Sequence, residues 1–445
     1  MTLHLRDLKA CFEGVIPSII STAASDGTPN ISYLSHVVMV DDEHVALSNQ
    51  FFAKTTANIR ANPNAALLLV DARDGMQFRL DVTWARSLDD GPLFEQVATA
   101  LRASSAQVGM LGIMRLKGVD IFRVNSVASI ASMAPLESTV RPVSPAPDLL
   151  AIARLTRGLG AQTDAEGIVS TLLTGVSDEL GFGAAVVLLV DENRKLLTTI
   201  ASRGYERTGV GSEIPISEGL IGAAAATMRT VKINDLSRIR RLGAAIEASS
   251  LDENRTRTIL LPGLPDALSQ IAVPMSAHGS VRGVLFVESR ERLAFSEIHA
   301  AALETIAGQA AASLAISELL ASEAPSISPA LMPARPLSRT VQITHHRFDD
   351  SVFIDNVYVI KGVAGRLLLF MLQAYVSEGR SEFTNREMRL SQGLRLPDIK
   401  DNLETRLLLL RRRLEEKSLA VKLIHTGRGR IGLELDGTPV IDSTG

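Results

Sequence analysis

The stretch 397-PDIKDNLETRLLLLRRRLEEK-417 decides how the C-terminal part of this chain is read. It has the marks of one helix. Pro397 suits a first helical position, where its missing N–H is not needed. Asp398 and Asp401 lie in the first turn and Arg411, Arg412, Arg413 and Lys417 in the last ones, so the charges oppose the helix dipole. Ile399, Leu403, Leu407, Leu410 and Leu414 recur at helical spacing and form one apolar stripe. Most of the remaining face is polar or basic, as a helix lying against nucleic-acid phosphates requires.

The neighbouring segments frame this helix. Phe353–Ile360 reads as a hairpin with Asp355-Asn356 at its turn, and Gly365–Ser377 as an amphipathic helix. Thr384 and Glu387 have capping-box spacing at the start of a short helix. Ala420–Ile424 and Ile431–Leu435 are strands flanking a tip with Arg428 and Arg430. Residues 361–430 hold 15 Lys and Arg against 8 Asp and Glu, so a chain of net charge −3 is −10 outside this segment. Basic charge gathered in one terminal segment is the footprint of a nucleic-acid module.

Strands, three helices and a hairpin in this order resemble the winged helix-turn-helix effector domain of OmpR/PhoB-type response regulators, over residues 341–437. The resemblance implies double-stranded DNA as partner, with the 397–417 helix in the major groove and the hairpin at the adjacent minor groove. By position it assigns Thr384, Thr405, Arg406, Arg411, Arg412 and Arg413 to DNA, with Arg428 and Arg430 at the wing. Leu408 and Leu409 depart from the pattern, because they lie outside the apolar stripe. They are expected to touch thymine methyls or to pack against another domain in an inactive state.

A chain of 445 residues is too long for one core and predicts two to four domains. No apolar run approaches a membrane span. The start lacks the basic and apolar blocks of a signal peptide, and a single cysteine, Cys11, excludes a disulfide framework; a cytoplasmic protein is expected. Pro- and Ser-rich Met133–Pro147 and proline-rich Glu323–Arg339 read as linkers. The fold class expected is multidomain α+β.

In the first segment, residues 1–135, short strands alternate with turns and two helices, Lys54–Asn62 and one near Pro92–Ala103. A small barrel is predicted, with Asn30–Val40 as one strand. The run VIPSIISTAASDGTPNISYLSHVVMVDDEHVALSNQFFAKTTANIRANP resembles the pyridoxamine-phosphate-oxidase-like split β-barrels. That resemblance implies an FMN phosphate held by Ser48, Asn49, Lys54 and Thr55 at a helix start, with haem or another flavin-like ligand as alternatives. The arginine and lysine that true oxidases add fall near Ser32 and Val37 here.

Residues 148–323 read as two helices, a run of antiparallel strands and a long closing helix, Ser296–Ser322. IAVPMSAHGSVRGVLFVES, the block IPISEGLIGAAAATMRTVKINDL and the closing helix resemble a GAF domain, which implies an antiparallel sheet with helices and an unidentified small molecule bound between them. Arg238–Asp266 is a long insertion, read as a lid or a surface loop. Ala302, Ile306, Gln309, Ser313, Ile316 and Leu320 have the spacing of a parallel dimer seam.

Together these readings predict a ligand- or redox-responsive one-component transcription regulator, homodimeric, with a small-molecule effector and no catalytic or metal residues assigned. The alternative is a flavin-dependent oxidoreductase with appended interaction domains.

Overall fold

A computed structural model describes residues 3–34, 36–49, 53–107, 116–130, 146–191, 194–216, 218–237, 259–322, 339–391, 394, 403–427 and 429–444. Among these residues no helix is long and apolar enough to cross a membrane. The architecture is multidomain α+β, with three successive units.

The first unit is a seven-stranded sheet in the order β2-β1-β5-β6-β7-β4-β3. Its strands are β1 Ser18–Ala23, β2 Pro29–Leu34, β3 Val37–Met39, β4 His44–Asn49, β5 Asn64–Val70, β6 Gln77–Leu88 and β7 Gly118–Ile130. Helices α1 (Ala53–Ala61) and α2 (Pro92–Gln107) lie where the helical segments were expected. The single strand expected at Asn30–Val40 is instead two, and its halves occupy opposite edges of the sheet. The chain thus leaves one edge after Leu34 and re-enters at the other with Val37, which is how a curled sheet closes on itself. A 3₁₀ helix at Leu5–Phe12, not anticipated, seals the interior with Leu5, Leu8 and Cys11 against Leu47, Ile59 and Phe122.

The middle unit is a six-stranded antiparallel sheet, β10-β9-β8-β13-β12-β11. These strands are β8 Ala184–Asp191, β9 Leu196–Arg203, β10 Glu213–Pro215, β11 Val231–Ile233, β12 Ser269–Ala277 and β13 Ser280–Ser289. Helices α3 (Leu149–Gly160), α4 (Ala165–Asp178) and α6 (Glu297–Ser322) cover one face, and α5 (Gly219–Thr227) packs on the other. Asp148 and Asp164 cap α3 and α4 by accepting from Leu150 and Gly167 N–H, satisfying donors the helices leave free. The proposed dimer seam on α6 is not a free face. Ala302, Ile306 and Ser313 are buried in this unit, because α6 packs on α3, α4 and β12, whereas Ile316 and Leu320 are exposed. Residues 238–258 of the insertion fall outside the described residues. The rest of it is tied down: Leu264 N–H donates to Glu288 (3.0 Å), and Asp266 pairs with Arg290 (2.6 Å).

The C-terminal unit begins with β14 (Thr340–His346), β15 (Ser351–Ile354) and β16 (Val357–Ile360). Asp355 and Asn356 both have positive φ, 48° and 65°, which makes the two-residue hairpin turn that matches strand twist. Helix α7 (Gly362–Glu378) buries Leu367, Leu368, Met371 and Leu372. Then come β17 (Glu382–Thr384), α8 (Asn385–Leu390), α9 (Leu403–Glu416) and the hairpin β18 (Val421–Gly427)–β19 (Arg430–Leu435). Sequence reading missed β14, β17 and the last strand, β20 (Thr438–Thr444). β20 pairs in parallel with β14 from Thr340↔Thr438 to His346↔Thr444, so the unit runs past residue 437. The predicted helix start, Pro397 with Asp398 and Asp401, lies outside the described residues, as does Ile399.

Candidate functional site

Helix α9 buries two faces, not one. Leu403, Leu407, Leu410 and Leu414 are buried as the spacing predicted, and so are Leu408 and Leu409. The second face packs on α4 and β9 of the middle unit. A Cβ placed at Gly211 would stand 3.9 Å from Leu409 Cδ1. One apolar cluster therefore runs from α3 and α4 through Leu408 and Leu409 into the C-terminal unit.

The arginines of α9 follow the same division. Arg406 pairs with Asp191 at the end of β8 (3.3 Å), and the two side chains are 13% and 8% exposed. Arg411 forms an ion pair with Glu166 in the first turn of α4 and lies 3.7 Å from Glu415 on its own helix. Arg412 donates to the Ile200 carbonyl at 3.5 Å. Burial, with Arg411 beside it, pushes its guanidinium down to about 10. Thr405 is buried.

Arg413 corrects the sequence reading. It was expected on the outward face but is fully buried, donating to the Val359 carbonyl of β16 (3.0 Å) and pairing with Glu416 (2.8 Å). Both of these partners belong to its own unit, so it ties α9 to the β15–β16 hairpin. Thr384 acts as predicted in the helix start: its hydroxyl accepts from Glu387 N–H at 3.2 Å. Arg430 lines a cavity of about 310 Å³ between α4, α9 and β19, together with Glu404, Leu408, Arg411 and His425. Arg428 lies outside the described residues. A smaller cavity of about 140 Å³ on the other side of α9 is lined by Asp191, Tyr358, Arg406 and Leu409.

Glu404 sits at the larger cavity and accepts from the Asn385 amide at 3.2 Å. Burial, then the nearby charge of Asp164, pushes its carboxyl up to about 7. Sequence reading had no signal for this group, because its environment is set by a different unit.

Of the four residues assigned to a flavin phosphate, three are hydrogen-bonded to other residues of the barrel. Ser48 Oγ accepts from His36 N–H (3.2 Å). Asn49 donates to Thr56 Oγ1 and to Asp120 Oδ2, each at 3.0 Å. Thr55 Oγ1 accepts from Asn30 (3.0 Å) and lies 2.9 Å from Ser32 Oγ. Lys54 alone of the four is exposed. Ser32 and Val37, where oxidases are expected to place cations, carry none, and buried Asp120 adds a negative charge. Lys54 is thus the one cation among the four residues assigned to the phosphate.

Two further groups are set aside by their surroundings. Burial pushes the His36 ring down to about 4. Burial, with Asp71 and Asp74, pushes the Cys11 thiol up to about 12, so the one thiol is unsuited to redox sensing. His44 pairs with Asp41 at 2.9 Å. Among the described residues no three His, Cys, Asp or Glu side chains are grouped to hold a metal.

The units are joined by polar contacts as well. Lys232 of β11 bonds Glu13 (2.9 Å), Glu297 (2.7 Å) and the Phe295 carbonyl (3.1 Å), while Asn234 donates to Glu13 (2.7 Å). Burial alone would lower the Lys232 pKa, but Glu13 and Glu297 outweigh it and hold it above its ordinary value.

The folds define two classes of domain. Residues 6–126 match the pyridoxamine 5′-phosphate oxidase family, and residues 162–315 match the GAF domain family, so the chain carries an oxidase-like barrel followed by a GAF domain. Among solved structures, the GAF domain of an Acinetobacter phosphoenolpyruvate-protein phosphotransferase is 22% identical with a TM-score of 0.32, over 39% of this chain and 95% of that one. An FMN-binding protein from Syntrophomonas wolfei is 18% identical with a TM-score of 0.25, over 29% of this chain and 90% of that one. No curated protein matches the chain.

Proposed function

We propose that the protein is a one-component transcription regulator in which the barrel and GAF domains govern a C-terminal winged helix that binds double-stranded DNA. One observation carries this reading. Arg412 lies with Leu408 and Leu409 on the part of α9 turned away from its own apolar stripe, Arg406 and Arg411 flank that part on either side, and α9 stands between the capped helix α8 and the β18–β19 hairpin that bears Arg430. A helix entering the major groove and a hairpin reaching the next minor groove would use these cations for phosphates and base edges. Arg428 completes the tip in the same reading. The upstream domains are the places for a small-molecule effector. In the GAF domain Glu288 is among the buried polar groups, and burial, then Glu288, raises the phenol of half-buried Tyr205. A cytoplasmic homodimer is the assembly proposed, with the exposed leucines Leu149, Leu150, Leu319 and Leu320 as apolar surface for pairing.

Binding of duplex DNA to the full chain across a salt series tests the proposal. A K_obs falling steeply with salt supports it, and the slope should shrink by about one for each phosphate-binding arginine replaced. Salt-insensitive or absent retention under every condition would reject it.

The second reading, a flavin-dependent oxidoreductase, is favoured by the oxidase-family match of residues 6–126. A visible spectrum separates the two. A flavin band that bleaches with NAD(P)H and returns in air would favour the enzyme, and a colourless protein would favour a sensor whose ligand sits in the GAF domain.

A further inference from the structure

We infer that the GAF domain holds the DNA-binding helix in a masked state, using its own carboxylates and a backbone carbonyl in place of DNA phosphates. The inference rests on the DNA-binding reading above and states how that site is regulated. The residues a duplex would need are the ones spent on the contact. Arg406 meets Asp191, Arg411 meets Glu166, and Arg412 meets the Ile200 carbonyl. Leu408 and Leu409, which break the single-stripe pattern of the helix, are 6% and 8% exposed beneath the same surface. A duplex and the GAF domain therefore cannot occupy this side of α9 together.

The contact is also built to be released. Arg412 is part-buried at the seam, and its hydrogen bond across it is a long one to a neutral carbonyl, with Glu415 of its own helix the nearby carboxylate, a poor return for desolvating a guanidinium. A phosphate oxygen would satisfy it better. Cavities of about 310 Å³ and about 140 Å³ flank the helix, whereas the interior of a permanent interface is close-packed. A ligand that binds the separated arrangement better than the docked one would shift the population by its differential affinity.

The test uses the full chain with Glu166→Gln and Asp191→Asn together, which loosens the seam without touching the DNA-binding unit. Asp42→Asn with Glu43→Gln, on an exposed barrel turn, makes the same change in net charge elsewhere. Hydrogen exchange over 403–416 reports opening, and polarisation of a labelled random-sequence duplex at low salt reports binding. We expect faster exchange in the seam variant and at least tenfold tighter DNA binding than in the wild type, with the barrel control unchanged. Faster exchange with DNA affinity equal to wild type would overturn masking while leaving DNA binding standing. Faster exchange with no DNA binding by any of the three proteins would overturn the DNA-binding reading itself, and masking with it. Unchanged exchange would show that these carboxylates do not hold the helix, and would also overturn the inference.

Discussion

At the scale of single residues, the four arginines of α9 divide into two kinds that composition cannot tell apart. Arg406, Arg411 and Arg412 face another domain, whereas Arg413 has its carbonyl and carboxylate partners inside its own unit. Replacing Arg413 by alanine removes a buried cation and strands both the Val359 carbonyl and Glu416. Urea unfolding of the C-terminal unit should then show a loss of about 2–5 kcal/mol. Unchanged stability with weakened DNA binding would return Arg413 to the DNA-facing set. Capping was readable because it is local: Thr384 and Glu387 are three residues apart and need no other segment. The place of Arg413 was not readable, because at 3.6 residues per turn it lies beside the apolar stripe and only the β15–β16 hairpin pulls it inward. In the barrel, the sequence reading assigned Ser48, Asn49 and Thr55 to a flavin phosphate; that they bond Asn30, His36 and Asp120 was not legible, since those partners come from other segments of the chain.

At the scale of elements, α9 acts as a contact surface with a built-in charge conflict. Glu404 of α9 faces Asp164 of α4 and Glu318 of α6, with Arg389 and the Asn385 amide on the α8 side. Glu166, Arg411, His425 and Arg430 complete the charged rim of the cavity. The sign of the effect follows from the raised pKa. Docking gains from a neutral Glu404 at low pH and loses that gain as pH rises through about 7, where the carboxylate ionises beside Asp164. Hydrogen exchange of 403–416, corrected for intrinsic rates, should therefore increase from about pH 4.5 to about pH 7 and level off above, and Glu404→Gln should flatten the profile with the helix held more firmly. A profile unchanged by that substitution would assign the effect to another group, with His425→Asn the next variant to measure. Most element positions could be read from periodicity and turn residues, including all six strands of the GAF sheet. Of the strands that escaped, β17 is short and pairs with distant β19, β20 pairs with distant β14, and β14 is rich in polar residues although it also pairs with the neighbouring β15. The split of Asn30–Val40 escaped for a different reason. Both halves have strand composition, and only barrel closure sends them to opposite edges.

At the scale of the whole molecule, three units meet through two seams of different character. Barrel and GAF domain are locked by Lys232 between two glutamates, a satisfied network with no evident reason to open. The seam between GAF domain and C-terminal unit joins cations to acids but leaves Arg412 underpaired and cavities beside the helix. The basic segment and its acidic remainder were visible in the charge distribution; that the two neutralise each other across a domain boundary was not, because charge counts carry no geometry. The central claim is that α9 and the β18–β19 hairpin read DNA. Its most direct measurement is selection of genomic fragments by the full chain carrying Glu166→Gln and Asp191→Asn, alongside the same protein with Arg406→Ala added. If α9 contacts base edges, a shared sequence motif is enriched by the first protein and lost or relaxed with the second. Fragments recovered without any common sequence by both proteins, and equally well at low and high salt, would contradict it.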